Sequence, residues 1–195
     1  MEKPSAASAG GNNDNRGKRA PVEVPCGCRF DPTDEELMVY LRNKIMGGRN
    51  DLPDYIPTAD VFGTSPNQLP FDRCEYSAGK KWFFYTVGQN DDVFTGDGYW
   101  TPTSEEAICI DGQVDGYKKE FIYYCGTEHP GNRTNWYIHQ FRLNPDVYGA
   151  SAVGNNVDYK ISSVVACMVF RKEAVVQSNR RKRKKKKKEK ELVSF

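Results

Sequence analysis

Apolar positions change their period partway along the chain. Leu37, Tyr40, Leu41, Lys44 and Ile45 recur at helical spacing and predict one amphipathic helix. Its start is written in the residues before it. Pro32 pushes Asp31 out of helical space, Thr33 is a good N-cap, and Glu36 three residues on completes a capping box. Asp34, Glu35 and Glu36 fill the first turn, where the helix dipole favours negative charge. Gly47-Gly48 stops the run. A second, short helix is expected at Ser65 to Pro70, with Pro66 at its first position.

Strand patterns then take over. Lys81 to Val87 reads as one strand. Ile108-Cys109-Ile110, the Asp111-Gly112 pair and the apolar residues after Gly116 predict strands joined by a tight turn. Phe121 to Cys125 and Asn135 to Leu143 flank a His129-Pro130-Gly131-Asn132 turn and predict a hairpin. Val164 to Phe170 is a last strand. The expected fold class is α+β: a twisted antiparallel β-sheet flanked by a few short helices.

Composition divides the 195 residues into three parts. Residues 1–23 lack aromatics and predict a disordered tail. Residues 24–172 hold nearly every aromatic and β-branched residue and form the folded body. Residues 173–195 end in a basic run that repels itself, which predicts a solvated tail. The net charge of +2 hides a split. Residues 180–191 carry ten Lys or Arg against Glu189 and Glu191, a net +8. Residues 1–179 carry 18 basic and 24 acidic side chains, a net −6. A DNA-binding domain normally concentrates positive charge on its own docking face, so the acidic body bears on any such role. The tail, with Arg180, Arg181, Lys182, Arg183, Lys184 and Lys185 at its head, reads as a nuclear localisation signal or a non-specific nucleic-acid arm.

Several chemistries find no support. No apolar run approaches a membrane span and no signal-peptide core is present, which predicts an intracellular protein without a membrane partner. The six cysteines form no C-x-x-C pair and are expected as free thiols packed like small hydrophobes. Cys26-Gly27-Cys28 with His129 and His139 lacks zinc-ligand spacing, so no metal and no cofactor are expected. There is no phosphate loop, H-E-x-x-H or G-x-S-x-G, and an enzyme is not expected. His139 alternates with Tyr137 and Phe141 on one strand face, the position of a structural histidine.

The stretch Arg29-Phe30-Asp31-Pro32-Thr33-Asp34-Glu35-Glu36-Leu37 opens a series of motifs. Trp82-Phe83-Phe84-Tyr85, Gly98-Tyr99-Trp100, Gly116-Tyr117-Lys118-Lys119, Phe121 to Tyr124, Thr134-Asn135-Trp136 with His139, Arg142-Leu143 and Cys167 to Phe170 follow in order. This series resembles the NAC domain, the DNA-binding module of a large class of plant transcription factors, over about residues 24–172. The resemblance implies the same α+β architecture, with DNA binding in about residues 98–172.

The resemblance also implies roles. Arg29 and Glu36 would form a reciprocal salt bridge across a two-fold dimer interface, beside a short arm strand that Val24 and Pro25 could supply. The residues alone equally allow an intrachain cap contact or a solvated pair. Lys118 and Lys119 would meet the DNA backbone, with Arg133 in the turn that follows. The strand from Tyr99 through Thr101 and Thr103 would read the major groove. Lys81 and, further off, Lys80, Arg142, Arg171 and Lys172 would add attraction. The chain departs from the family where a basic residue is usual and Thr101 stands, and Pro102, Glu105 and Glu106 follow. Two readings are open. One is a dimeric NAC-type regulator that binds double-stranded promoter DNA with altered or weakened readout. The other is a NAC-like module that pairs with family members and titrates them without specific DNA binding.

Overall fold

The computed structural model describes residues 27–47, 55–149 and 155–173. Its centre is a six-stranded antiparallel sheet: β1 (Lys81–Val87), β2 (Val93–Phe94), β3 (Gly98–Ile110), β4 (Gln113–Cys125), β5 (Asn132–Leu143) and β6 (Val164–Arg171). The spatial order is β1-β6-β5-β4-β3-β2. The α+β architecture expected from the sequence is the one observed.

Helix α1 (Asp34–Met46) begins as its sequence dictates. The Glu36 N–H donates to Thr33 Oγ1 at 3.2 Å, and the Thr33 N–H donates to Glu36 Oε2 at 2.8 Å. Gly47 closes the helix at φ 66°, a left-handed cap that glycine adopts without a Cβ penalty. Leu37, Met38, Leu41 and Ile45 are buried. Residues Pro66–Gln68 and Phe71–Arg73 form two 3₁₀ turns, the first with Pro66 at its start as predicted.

Alternation along the strands sends successive side chains to opposite faces, and each face has its own core. Phe83, Tyr85, Phe141 and Ala166 pack with Leu37, Met38 and Leu41 of α1 and Ile161. Phe84, Phe121, Ile138 and Cys167 pack on the other side with Val61, Phe62 and Leu69 from the segment before β1. Two short helices went unread in the sequence: α2 (Pro145–Tyr148) and α3 (Asn155–Ser163). Asn144 caps α2, and Ile161 is the buried anchor of α3.

The β3–β4 hairpin carries Glu105 and Glu106 on one strand and Lys118 and Lys119 on the other. Asp111 and Gly112 both take positive φ, 51° and 80°, as a two-residue hairpin turn requires. β2 pairs only with Tyr99 and Trp100, so from Thr101 onward β3 is the outer strand of the sheet. That placement explains how Pro102 lies inside a strand: an outer strand needs no N–H on its free side, and a bulge follows between Pro102 and Ser104.

The thiols correct one expectation. All five described cysteines are free, but only Cys74 and Cys167 are buried; Cys28, Cys109 and Cys125 are exposed. Cys109 sits on the outer strand and Cys125 at the end of β4, and both side chains are exposed. Burial pushes the Cys74 thiol up to about 11 and raises that of Cys167 further, so both stay protonated at neutral pH. Cys26 lies outside the described residues.

Candidate nucleic-acid interface

Antiparallel register sets the charges on the β3–β4 shoulder. Glu105 stands opposite Lys119, and Glu106 opposite Lys118. Directly opposed residues share a face, so each lysine meets a carboxylate of the outer strand. Lys118 Nζ lies 2.5 Å from Glu106 Oε1 and 2.6 Å from Asp34 Oδ2 in the first turn of α1. Burial lowers the affinity of Lys118 for its proton, but the two carboxylates outweigh this and leave its pKa raised. Lys119, on the other face, donates to Asn90 Oδ1 at 3.1 Å and lies 3.5 Å from Glu105 Oε2.

Arg142 completes the cluster. Its Nη2 and Nε donate to Glu105 Oε1 at 2.7 and 3.1 Å, and its guanidinium lies 4.1 Å above the Tyr117 ring. Burial raises the Glu105 carboxyl, but Arg142 and Lys119 overcome it and hold the group below the ordinary carboxylate value. Three cations, Lys118, Lys119 and Arg142, thus meet three carboxylates, Asp34, Glu105 and Glu106. β3 itself carries no Lys or Arg.

The other sequence-predicted residues fall in different surroundings. Thr103 is exposed, with Oγ1 3.3 Å from the Glu120 carbonyl oxygen and 3.2 Å from its carboxylate. Thr101 is half-buried, and its hydroxyl oxygen is buried without a hydrogen-bond partner among the described residues. Tyr99 is a core residue, 2% exposed. Its hydroxyl accepts from the Gly131 N–H at 2.8 Å, and its ring stacks on Tyr124. Arg133 is exposed at the base of the β4–β5 hairpin and donates to the Tyr137 hydroxyl at 3.1 Å. It shares an open recess of about 390 Å³ with Arg171, Asn67, Asn135 and Trp136. Lys81 lies far along the sheet, at the start of β1, and pairs with Asp31 at 2.7 Å.

One network escaped the sequence. Glu120 receives Lys172 Nζ at 3.1 Å, His139 Nε2 at 3.3 Å and Thr103 Oγ1 at 3.2 Å. It ties the end of β6 to the outer strand across β5 and β4. Burial lowers the His139 pKa against the raising effect of Glu120, and the ring packs edge-on against Phe170. His139 thus sits on the face predicted for it, in a structural setting. Only the alternation around His139 hinted at this. Among the described residues no group of three or more His, Cys, Asp or Glu is placed to hold a metal ion. Nor is any described helix long and apolar enough to cross a membrane.

Arg29 and Glu36 line one open recess of about 450 Å³, together with Phe30, Asp31, Val39 and Tyr40. Arg29 is exposed, its guanidinium 3.4 Å from the Cys28 carbonyl oxygen. Glu36 Oε2 serves the helix cap, and the residue as a whole is exposed. Val24, Pro25 and the basic run from Arg180 lie outside the described residues.

The chain is similar to known proteins over most of its length. The family described as No apical meristem (NAM) protein matches residues 25–143. NAC domain-containing protein 41 of Arabidopsis thaliana is 38% identical over 164 residues, which cover 80% of this chain and 57% of that protein. NAC domain-containing protein 86 of the same plant is 35% identical over 162 residues, 78% of this chain and 33% of its own length. NAC domain-containing protein 54 of Oryza sativa subsp. japonica is 34% identical over 132 residues, 64% of this chain and 20% of that protein. The chain thus spans between a fifth and somewhat over half the length of these relatives. The capped α1, the six-stranded antiparallel sheet and the match from residue 25 to residue 143 place this chain in the NAC (No apical meristem) family.

Proposed function

We propose that this chain is a sequence-specific DNA-binding transcription regulator of the NAC type that acts as a dimer in the nucleus, with weakened DNA readout. The supporting observation is that the family match spans the whole β3–β4–β5 shoulder, which carries Lys118, Lys119 and Arg142 at one end of the β4–β5 ladder and Arg133 at the other. Phosphate contacts from Lys118, Lys119 and Arg133 position the domain, and the outer strand around Thr101 and Thr103 faces the groove. Tyr99, being buried, supports that strand from within. Dimerisation runs through the recess that holds Arg29 and Glu36, with Arg29 of each copy meeting the glutamate that corresponds to Glu36 in a second copy or in another NAC protein. The basic tail serves nuclear entry and adds attraction to DNA without sequence information.

A binding selection with the full chain on random duplex DNA tests this reading. An enriched motif supports it, because a basic tail enriches none. Sedimentation of Arg29→Ala tests the dimer; an unchanged dimer removes Arg29 from the interface.

A second reading has its own support. The carboxylates opposite Lys118 and Lys119 favour a dimerisation module that titrates other NAC proteins. It predicts a flat selection together with a heterodimer in a pull-down with a family member.

A further inference from the structure

Lys118 and Lys119 point to opposite faces of β4, yet both are occupied by the same neighbour strand. The cause is register, since Glu105 and Glu106 are consecutive and face consecutive lysines. β3 is outermost here, so these carboxylates lie at the edge any approaching polyanion would meet. Lys118 Nζ is in direct ion-pair contact with both Asp34 and Glu106, whose carboxylate oxygens take the place a phosphate oxygen would occupy. Lys118 and Lys119 side chains are only 19% and 14% exposed, while Glu106 is 64% exposed. The carboxylate, not the ammonium, is the charge this edge presents.

We propose that Glu105 and Glu106 are internal phosphate substitutes: they occupy Lys118 and Lys119 and keep the outer edge of β3 from the DNA backbone until they are displaced. This rests on the reading of the chain as a DNA-binding protein. A cluster whose three cations and three carboxylates cancel neutralises no net phosphate, so it adds nothing to the salt dependence of binding. No residue of β3 restores the missing positive charge.

The test compares three full-length proteins on a random-sequence duplex pool across a salt series: the wild type, E105Q/E106Q, and E105Q/E106Q with K118A/K119A. Glutamine keeps the shape of each side chain and removes its charge. The loss of two carboxylates leaves the cluster with a net charge of +2, since only Asp34 still opposes Lys118, Lys119 and Arg142; this raises the salt slope by nearly 2, at about 0.9 counterions per phosphate, and raises affinity up to about thirtyfold near 0.15 M salt. Removing the lysines returns both quantities to the wild-type level. Equal affinity and slope in the wild type and the glutamine variant overturn the proposal. Acetylation rates of Lys118 and Lys119, read by mass spectrometry without DNA, separate the two ways of failing. Faster labelling in the glutamine variant with unchanged DNA binding places the fault in the DNA-binding reading. Equal labelling rates show that the carboxylates never guarded the lysines.

Discussion

Lys118→Met is the most direct probe of how this shoulder is held. Methionine keeps the apolar stem and deletes the ammonium that joins Asp34 of α1 to Glu106 of β3. An ion pair 4 Å apart at an effective dielectric of about 20 interacts by about 4 kcal/mol. Asp34 and Glu106 are 43% and 64% exposed, however, and water recovers most of that. Exposed pairs contribute about 0.2–1 kcal/mol each, whereas breaking a buried pair costs about 3–5 kcal/mol. Two half-exposed contacts, plus the repulsion between the carboxylates left behind, give an expected loss of about 1–2 kcal/mol. Asp34 keeps its favourable place in the first helical turn, which limits the damage. The folded pKa of Lys118 is raised, so its contribution is complete below the ordinary lysine value and is lost as pH rises through the folded one. Urea unfolding at pH 7 therefore reads the full effect, with Trp82, Trp100 and Trp136 as reporters. A double-mutant cycle with Asp34→Asn isolates the helix–sheet pair and should return about 0.5–1 kcal/mol of coupling. Zero coupling refutes the pairing, and a single-mutant loss above about 3 kcal/mol refutes the solvent-screened reading.

Three further outcomes follow from the same geometry. Thr33→Ala removes the side-chain acceptor of the Glu36 N–H and should cost about 1 kcal/mol by urea titration, while Thr33→Ser should cost little. Gly116→Ala should cost more than about 3 kcal/mol in the same assay, because its Cβ would overlap the Arg142 carbonyl oxygen of the neighbouring strand; a near-neutral result would show that β4 can shift there. Acid should destabilise the fold in two stages. The folded pKa of His139 is depressed by burial, so stability falls as pH drops through the ordinary histidine value toward it. Burial raises Glu120, but Lys172 and His139 outweigh it, and the lowered carboxyl loses its contribution as pH falls below the ordinary glutamate value through the folded one. Glu120→Gln should flatten the second stage in pH-dependent thermal melts; an unchanged profile would place the titration elsewhere.

The elements built from local signals were legible. Helix α1 announces itself in Pro32, Thr33, Glu36 and Gly47, all within one stretch of chain. The β3–β4 turn is visible in Asp111-Gly112, and β1 matches its predicted ends at Lys81 and Val87. α3 was not legible, since only its Ile161 anchor is buried among the described side chains, too little to establish a period. The exposed thiols were also out of reach, because whether a strand residue meets a core or water depends on which layer covers that part of the sheet.

For the candidate site, the sequence by itself supplied the cations and the family motifs: Lys118, Lys119, Arg133 and Arg142 are plain in the chain, as is the acidic run at Glu105 and Glu106. Tertiary structure alone decided which charges meet. Asp34 reaches Lys118 across 84 positions, and Arg142 reaches Glu105 across 37. Electrostatic interaction depends on distance in space, and here that distance is set by strand register and by how α1 lies on the sheet. Local patterns specify where strands begin and turn. They do not specify that two glutamates will stand directly opposite two lysines, and so whether this shoulder offers positive charge to a partner or has already spent it within the fold.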